Sequence, residues 1–234
     1  MRLTHQILGP LKVEKTDIVL VVSDLHLNHD KEFVWKYRSQ FIPEAGISNV
    51  DDYTTYIINS LYSAYYKYKT DDNNVYLLSL GDNCFNDTEG KVANRLLQTP
   101  FDHIYSLPGN HPSGIKTIEM EGGKCNFTLI SECMTLQLGK QTLLTITHYP
   151  VVDTAMALYG TLCGHCHGSL TALNEGNSSL GRIFDCGVDN ALRLKKRPYF
   201  TLDECLGYLR RKEDWDKTLQ LHRQRKEDEN VRLV

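Results

Sequence analysis

The feature that most constrains the fold is a run of five apolar residues, Ile18–Val22, that ends abruptly in polar ones. An uninterrupted apolar run of this length predicts a strand buried on both faces, as in a parallel sheet covered by helices. Ser23, Asp24 and His26 follow the run directly. Because one residue separates Asp24 from His26 on the loop after the strand, both side chains can point at one cation. The run therefore predicts an α/β fold with a polar site beside this strand end.

The same arrangement is repeated at four later strand ends. Apolar segments at residues 75–80, 103–107, 143–147 and 158–162 end in Gly81-Asp82-Asn83, Pro108-Gly109-Asn110-His111, His148 and Cys163-Gly164-His165-Cys166-His167. In open α/β sheets, functional groups gather beyond the carboxyl ends of the strands. One such histidine alone is typical of a hydrogen-bonded structural residue. Five strand ends that each carry Asp, Asn or His favour a shared functional site.

Other periodic segments fill the chain between and after these strands. Apolar residues at helical spacing predict helices within residues 30–41, from 51 to 68 and over 91–97. Alternation predicts one strand over residues 127–138, followed by a hairpin-like turn at Gly139-Lys140, and a further strand is predicted over 182–186. Thr201 to Glu204 form a capping-box pattern, which predicts a final helix. The charged segment that follows predicts a solvated helical tail, so that residues 203–234 end the chain as a charged helical extension.

Length and composition exclude several classes of protein. The 234 residues favour one large domain, residues 1–234, and the net charge of −3 provides no overall positive field for nucleic acid or anionic membranes. No apolar run approaches the roughly 20 residues of a membrane span. The first 15 residues lack the apolar region of a secretory signal. Seven cysteines without framework spacing are typical of reduced thiols. These features predict a soluble, cytoplasmic protein.

The donors at the strand ends define the kind of metal they suit. Leaving His111 aside, the set contains two Asp, one Asn and four His: Asp24, His26, Asp82, Asn110, His148, His165 and His167. Mixed oxygen and imidazole ligands suit Mn²⁺, Fe²⁺, Ni²⁺ or Zn²⁺. Seven ligands exceed the needs of one catalytic ion, which keeps a position open. If one carboxylate is shared, each of two ions has four protein ligands, and such a pair, about 3.5–4 Å apart, holds a hydroxide between its members.

Cys163 and Cys166 allow a different interpretation of the last strand end. A C-x-x-C sequence is typical of thioredoxin-like redox sites, where a helix N-terminus lowers the thiol pKa. Here no convincing helix follows the motif, because His167-Gly168 comes next. A structural zinc would need a second pair of ligands at similar spacing, and none stands out. Both functions remain minor alternatives to simple packing of the two cysteines.

The order of these motifs resembles that of the calcineurin-like metallophosphoesterases. D-x-H, G-D, G-N-H, a lone His and G-H-x-H follow one another from Asp24 to His167. Asp24-Leu25-His26-Leu27-Asn28-His29 is similar to the D-x-H-F-G-H start of a small bacterial and phage branch. The Gly-Val-Asp that follows the last strand, within residues 184–202, is similar to the ending of that branch.

The resemblance implies a fold and a set of residue roles. The fold would be an αββα four-layer sandwich, two mixed β-sheets flanked by helices, with two metals at the carboxyl ends of the strands. Asp24, His26 and His167 would hold the first ion. Asn110, His148 and His165 would hold the second, and Asp82 would bridge the two.

The resemblance also implies roles for three residues that are not ligands. His111 would bind the phosphate or protonate the leaving oxygen. Asn83 and His29 would contact the substrate or the ligands. Many members have an acidic residue after G-N-H, but this chain has Pro112, which leaves open what orients His111.

The implied activity is hydrolysis of phosphate esters by a metal-bridging hydroxide, without a nucleophilic Ser or Cys. The chain is expected to be a metal-dependent phosphoric ester hydrolase with two divalent ions. Mn²⁺ is the expected metal, and Fe, Ni²⁺ and Zn²⁺ are the alternatives. A phosphodiesterase is the first expectation and a phosphomonoesterase acting on nucleotides or phosphoproteins is the second. Nucleic acid is expected only as a substrate, and no membrane partner is expected. A non-catalytic metal-binding interaction module is the alternative from another class.

Overall fold

The structure is a computed structural model that describes residues 10–87, 89–111, 127–129, 132–139, 142–150, 160–169 and 182–210. This part of the chain contains ten strands and five helices. The strands are β1 (Leu11–Val13), β2 (Ile18–Val22), β3 (Val75–Ser79), β4 (His103–Ser106), β5 (Phe127–Leu129), β6 (Cys133–Leu138), β7 (Thr142–Thr147), β8 (Thr161–Cys163), β9 (Ile183–Asp185) and β10 (Phe200–Thr201). The helices are α1 (Glu32–Ser39), α2 (Val50–Tyr68), α3 (Lys91–Leu97), α4 (Val188–Lys195) and α5 (Leu202–Arg210).

The strands form two mixed sheets of five strands each. The order in the first sheet is β10-β2-β3-β4-β5, in which β10 alone is antiparallel to its neighbour. The order in the second sheet is β1-β6-β7-β8-β9, and only β6 and β7 pair in the antiparallel direction. The predicted α/β class with two mixed sheets is therefore confirmed.

Strand β2 is buried on both faces, as its continuous apolar run predicts. Leu20 and Val22 belong to an apolar cluster shared with residues of α2 and α3, whereas Val19 and Val21 belong to a cluster shared with the second sheet. This division follows from the alternation of side chains along a strand. One cluster thus joins the first sheet to helices, and the other joins the two sheets.

Local sequence signals account for the ends of two helices. Asn49 caps α2 by accepting a hydrogen bond from the backbone N–H of Asp52 at 2.9 Å. At the start of α5, Glu204 accepts from the N–H of Thr201 at 2.9 Å, and the Thr201 hydroxyl accepts from the N–H of Glu204 at 3.3 Å. This reciprocal pair confirms the predicted capping box. The described helices are not long and apolar enough to cross a membrane.

The observed elements differ from the sequence predictions in several respects. Residues 127–138 form two strands, because β5 pairs with β4 in the first sheet and β6 pairs with β7 in the second. Alternation of apolar residues does not indicate which sheet a strand joins, so it cannot predict that the chain passes from one sheet to the other. The short strands β1 and β10 and the helix α4 were not predicted. The strand expected at 158–162 is β8, Thr161–Cys163, and residues 158–159 lie outside the described part, as do residues 211–234 of the predicted tail.

The loops that follow the strands are joined to one another by backbone hydrogen bonds. The N–H of Asp24, after β2, donates to the carbonyl of Gly81, after β3, at 3.0 Å. The N–H of Val188, after β9, donates to the carbonyl of Ser23 at 2.9 Å. The second bond links the two sheets at the edge where the polar strand ends meet. The fold thus brings strand ends from both sheets to one place.

Candidate metal centre

The strand-end loops have an unusual backbone conformation. Five of the predicted ligands have positive φ angles, at 56° for Asp24, 47° for His26, 51° for Asp82, 68° for His165 and 50° for His167. For residues other than glycine, this left-handed conformation costs about 1–3 kcal/mol each and is concentrated at functional sites. The same residues that carry the metal-ligand chemistry therefore carry the backbone strain.

Two glycines in the motifs allow the carboxylates to approach the neighbouring loops. A Cβ on Gly109 would overlap the carboxylate of Asp82, and a Cβ on Gly164 would overlap Ser23 and contact the carboxylate of Asp24. This close approach explains why G-N-H and C-G-H contain glycine at these positions.

The first candidate group consists of Asp24, His26 and His167, whose ligand atoms lie within 4.8 Å of one another. Nε2 of His167 lies 3.8 Å from Oδ1 of Asp24. Burial, together with the charge of Arg38, lowers the pKa of His26 to about 2, so its ring is neutral and able to ligate a metal. Oδ1 of Asp24 and both ring nitrogens of His26 are buried and have no hydrogen-bond partner among the described residues. Buried polar atoms normally have partners, so these atoms fit a cation.

The second candidate group consists of Asn110, His148 and His165. Oδ1 of Asn110 lies 2.7 Å from Nε2 of His148 and 3.0 Å from Nδ1 of His165. Nδ1 of His148 lies 2.9 Å from the carbonyl of Leu80, which can only accept, so we assign the ring proton to Nδ1. In the neutral ring Nε2 then has a lone pair that faces the amide oxygen. Nε2 of His148 and Oδ1 of Asn110 would repel each other at this distance if both presented lone pairs. The contact therefore fits either a protonated His148 ring or a cation bound by both atoms.

Asp82 lies between the two groups. Its Oδ2 is 3.4 Å from Nε2 of His148 and 3.9 Å from Nε2 of His26. Burial raises the pKa of Asp82, but the nearby ring of His148 and the hydrogen bond from the backbone N–H of His111 outweigh burial and lower it below its usual value. Asp82 is therefore an anion with one oxygen directed at histidines of both groups.

His111 lies beside the centre and is partly open to solvent. Its side chain is 35% exposed, and its Nε2 is 3.9 Å from Oδ2 of Asp82. Its ring contacts the rings of His26 and Phe85, with centroids 5.0 and 5.2 Å away. The rings of His26 and Phe85 therefore orient the ring of His111. Pro112 lies outside the described residues. His26, Asp82 and His111 also satisfy the geometry of a metal-holding group, so His111 is close enough to be a ligand.

Arg38 is a residue of the candidate site that sequence reasoning missed. It is fully buried on α1, and all five of its N–H groups have acceptors. Nε and Nη2 donate to the two carboxylate oxygens of Asp189 at 2.9 and 2.7 Å. Nη2 also donates to the carbonyl of Asp24 at 2.9 Å, and Nη1 donates to the carbonyl of Leu25 at 3.0 Å and the hydroxyl of Tyr53 at 2.6 Å. Arg38 thus holds the strained loop that carries Asp24.

Asp189 connects this network to the first candidate group. Its Oδ2 lies 2.9 Å from Nδ1 of His167. Burial raises the pKa of Asp189, but the charge of Arg38 outweighs burial and holds the pKa well below its usual range. An ionised carboxylate can only accept, so Nδ1 of His167 donates and Nε2 is free to ligate a metal. The only sequence signal for this residue was the Gly-Val-Asp ending, and none indicated Arg38.

We expect Arg38→Met to destabilise the metal-free protein by about 3–5 kcal/mol, because it leaves the carboxylate of Asp189 buried without a counter-ion. Urea unfolding of chelated protein measures this. Lys36→Met on the same helix is the matched control, because its ion pair with Glu32 is exposed and worth less than about 1 kcal/mol. Equal losses of stability in the two variants would contradict the assignment.

His29 and Asn83, the two residues predicted to contact substrate or ligands, occupy different environments. His29 is 7% exposed, and its ring lies 4.0 Å from that of Phe85 and 5.3 Å from that of His26. Asn83 is buried beneath the centre, where its Oδ1 accepts from the Ser79 hydroxyl at 2.6 Å and its Nδ2 donates to Ser106 at 2.9 Å. Its amide therefore ties the ends of β3 and β4 together.

The environment of Cys163 and Cys166 favours packing. Cys163 is fully buried and packs with Ile183 in a small apolar cluster that Cys166 borders. Burial, with the charges of Asp185 and Asp24, raises the pKa of Cys166 to about 11. A redox thiol needs the opposite shift. In the described part of the chain, the groups that could hold a metal contain no cysteine.

We expect Cys163→Ser with Cys166→Ser to retain most bound metal and most activity, because neither thiol contributes to the centre. Metal analysis and turnover measure this. The wild-type protein should also be silent in an insulin-disulfide reduction assay run beside a thioredoxin. Measurable disulfide turnover by the wild type, abolished in the double variant, would establish the redox alternative instead.

Comparisons with known proteins add little to this geometry. No protein-family model matches the sequence, and no curated protein matches it. Among solved structures, the chain is similar to the protein of unknown function AQ665 from Aquifex aeolicus. The identity is 15% and the TM-score 0.47, over 80% of this chain and 97% of that chain. A similarity at this level carries no argument about function.

Proposed function

We propose that this protein is a phosphoesterase that depends on two divalent metal ions and belongs to the calcineurin-like superfamily. The observation that carries the proposal is the position of Asp82. One of its carboxylate oxygens lies between His26 of the first group and His148 of the second. A carboxylate shared by two groups of histidine and oxygen donors is the arrangement that a bridged metal pair requires.

In the proposed assignment, Asp24, His26 and His167 hold the first ion, Asn110, His148 and His165 hold the second, and Asp82 bridges them. Oδ1 of Asp24 and Nε2 of His26 have no hydrogen-bond partner in the part of the chain that the structure describes, and a cation would give each buried atom one, which supports this assignment. The donor set supports Mn²⁺, with Fe, Ni²⁺ and Zn²⁺ as alternatives. The helical layer on each outer face of a four-layer sandwich and the single-domain organisation are part of the same proposal.

When bound, the ions would neutralise phosphoryl oxygens and lower the pKa of a water for in-line attack on phosphorus. The protein's own residues would do the rest. Asp82 would hold both ions, and Asn110 would hold the second. His111, which is partly exposed beside Asp82, would donate a proton from Nε2 to the leaving oxygen. Arg38 and Asp189 would keep Nε2 of His167 directed into the centre.

A substrate screen tests the proposal. Protein stripped by a chelator is assayed with bis-p-nitrophenyl phosphate and p-nitrophenyl phosphate before and after addition of Mn²⁺ or Ni²⁺. We expect no turnover without metal, recovery with metal and a preference for the diester. Preference for the monoester would establish a phosphatase. Metal binding without hydrolysis of either ester, or of a panel of nucleotides, would establish a binding module and contradict the proposal.

A further inference from the structure

A continuous series of aromatic rings leads from the candidate metal centre to solvent. The ring of His111 contacts that of Phe85 at 5.2 Å, and the ring of Phe85 packs on that of His29 at 4.0 Å, with the two planes tilted by 31°. The edge of His29 then meets Phe33, on the first turn of α1, at 5.8 Å. The series begins beside Asp82 and ends at the surface.

The last ring in the series is unusually exposed. Phe33 is 72% exposed, although its neighbour Val34 is buried beneath α1. A single exposed phenylalanine needs no explanation by itself. Here, however, the exposed ring of Phe33 contacts the buried ring of His29, which in turn lies beside His26 of the centre. Phe85, which contacts both His29 and His111, is half-buried. An open aromatic surface continuous with a polar centre is typical of a site that binds a ring together with a charged group.

We propose that Phe33 and Phe85, supported by the buried ring of His29 between them, form a stacking wall that binds the base of a nucleoside phosphate ester. The inference rests on the proposed function and names the substrate class of the same site. A nucleoside phosphate carries a planar base and a phosphate within one small molecule. The phosphate would occupy the metal centre, and the base would stack on the wall. Because stacking on an aromatic ring does not depend on the hydrogen-bonding groups of the base, the wall should accept more than one kind of base.

The wall lies on the side of the leaving group. His111 is assigned to the leaving oxygen, and Phe85 contacts His111 directly. The part of the substrate that departs therefore points toward the wall. This predicts that the nucleoside is the leaving alcohol and that its base, rather than the other ester group, determines the preference.

The test compares two substrates that differ only by the base. The methyl esters of adenosine 5′-phosphate and ribose 5-phosphate have the same phosphodiester and the same primary alcohol. With the metal-loaded wild type we expect kcat/KM to be about 5- to 150-fold higher for the adenosine ester, the range that stacking of one base provides. Phe33→Ala should remove most of this preference and leave the ribose ester almost unchanged. Tyr66→Ala, at a tyrosine 69% exposed on α2, is the matched control and should retain the preference.

Equal kcat/KM values for the two esters in the wild type, or an unchanged preference in Phe33→Ala, would overturn the inference while leaving the proposed function intact. If metal-loaded protein hydrolyses neither of these two esters, equilibrium binding tests the wall, and the p-nitrophenyl esters test the proposed function separately. Adenosine 5′-monophosphate should then bind more tightly than ribose 5-phosphate. Phe33→Ala should weaken the binding of adenosine 5′-monophosphate and leave that of ribose 5-phosphate unchanged. Equal affinities of the wild type for both compounds would overturn the inference.

Discussion

The Asp82→Asn variant is expected to lose bound metal and turnover together. The substitution keeps the shape of the side chain, but it removes the negative charge that Asp82 presents to histidines of both groups. An amide bridges two cations poorly, so the second divalent ion should be lost and turnover should fall by at least about 10³-fold. Metal content after dialysis and hydrolysis of bis-p-nitrophenyl phosphate measure the two effects.

Asp87→Asn is the matched control for this experiment. Asp87 is also a buried carboxylate, at 6% exposure, but it accepts a hydrogen bond from the N–H of Ala93 on α3. This control should keep its metal and most of its activity. If Asp82→Asn retained two ions per chain, or lost no more activity than Asp87→Asn, Asp82 would not be a bridging ligand.

The His111→Ala variant is expected to separate a proton donor from a ligand. If His111 protonates the leaving oxygen, metal content should stay near wild type. The value of kcat should fall by roughly 10²–10⁴-fold on esters with poor leaving groups. The loss should be much smaller on p-nitrophenyl esters, because p-nitrophenolate departs without a proton. His103→Ala, at the opposite end of β4, is the control histidine and should change neither quantity.

The structure gives this experiment two further outcomes. His111 lies near enough to His26 and Asp82 to complete a metal-holding group. If His111→Ala sheds metal as Asp82→Asn does, His111 is a ligand and its assignment as an acid is wrong. If kcat falls equally on both kinds of ester, His111 binds the phosphate instead. Measurements of metal content and of both substrates on the one variant decide among the three roles.

The sequence predicted several elements of the fold, including the strands whose ends carry the site, because their signals are local. The apolar run of β2, the amphipathic period of α2 and the capping box of α5 each describe a short segment and its immediate neighbours. The strand-end residues could be grouped because parallel strands present their carboxyl ends at one edge. The structure brings Asp24, His26, Asp82, Asn110, His148, His165 and His167 together in that way.

The supporting residues could not be predicted, because their partners are distant in the chain. Arg38 acts through Asp189, 151 positions away, and an arginine on a helix has the same sequence signature whether it is buried or solvated. The division of residues 127–138 into β5 and β6 could not be predicted for a related reason. Alternating apolar residues indicate which face of a strand is buried, but they do not indicate which strand it pairs with. Such features depend on tertiary contacts, which a single sequence does not contain.

The number of divalent ions that the protein binds tests the central claim most directly. Protein stripped by a chelator is titrated with Mn²⁺ in a calorimeter, and turnover of bis-p-nitrophenyl phosphate is followed on the same samples. We predict two ions per chain, with hydrolysis appearing only as the second site fills. Binding of no ion, or undiminished turnover by thoroughly stripped protein, would contradict the account.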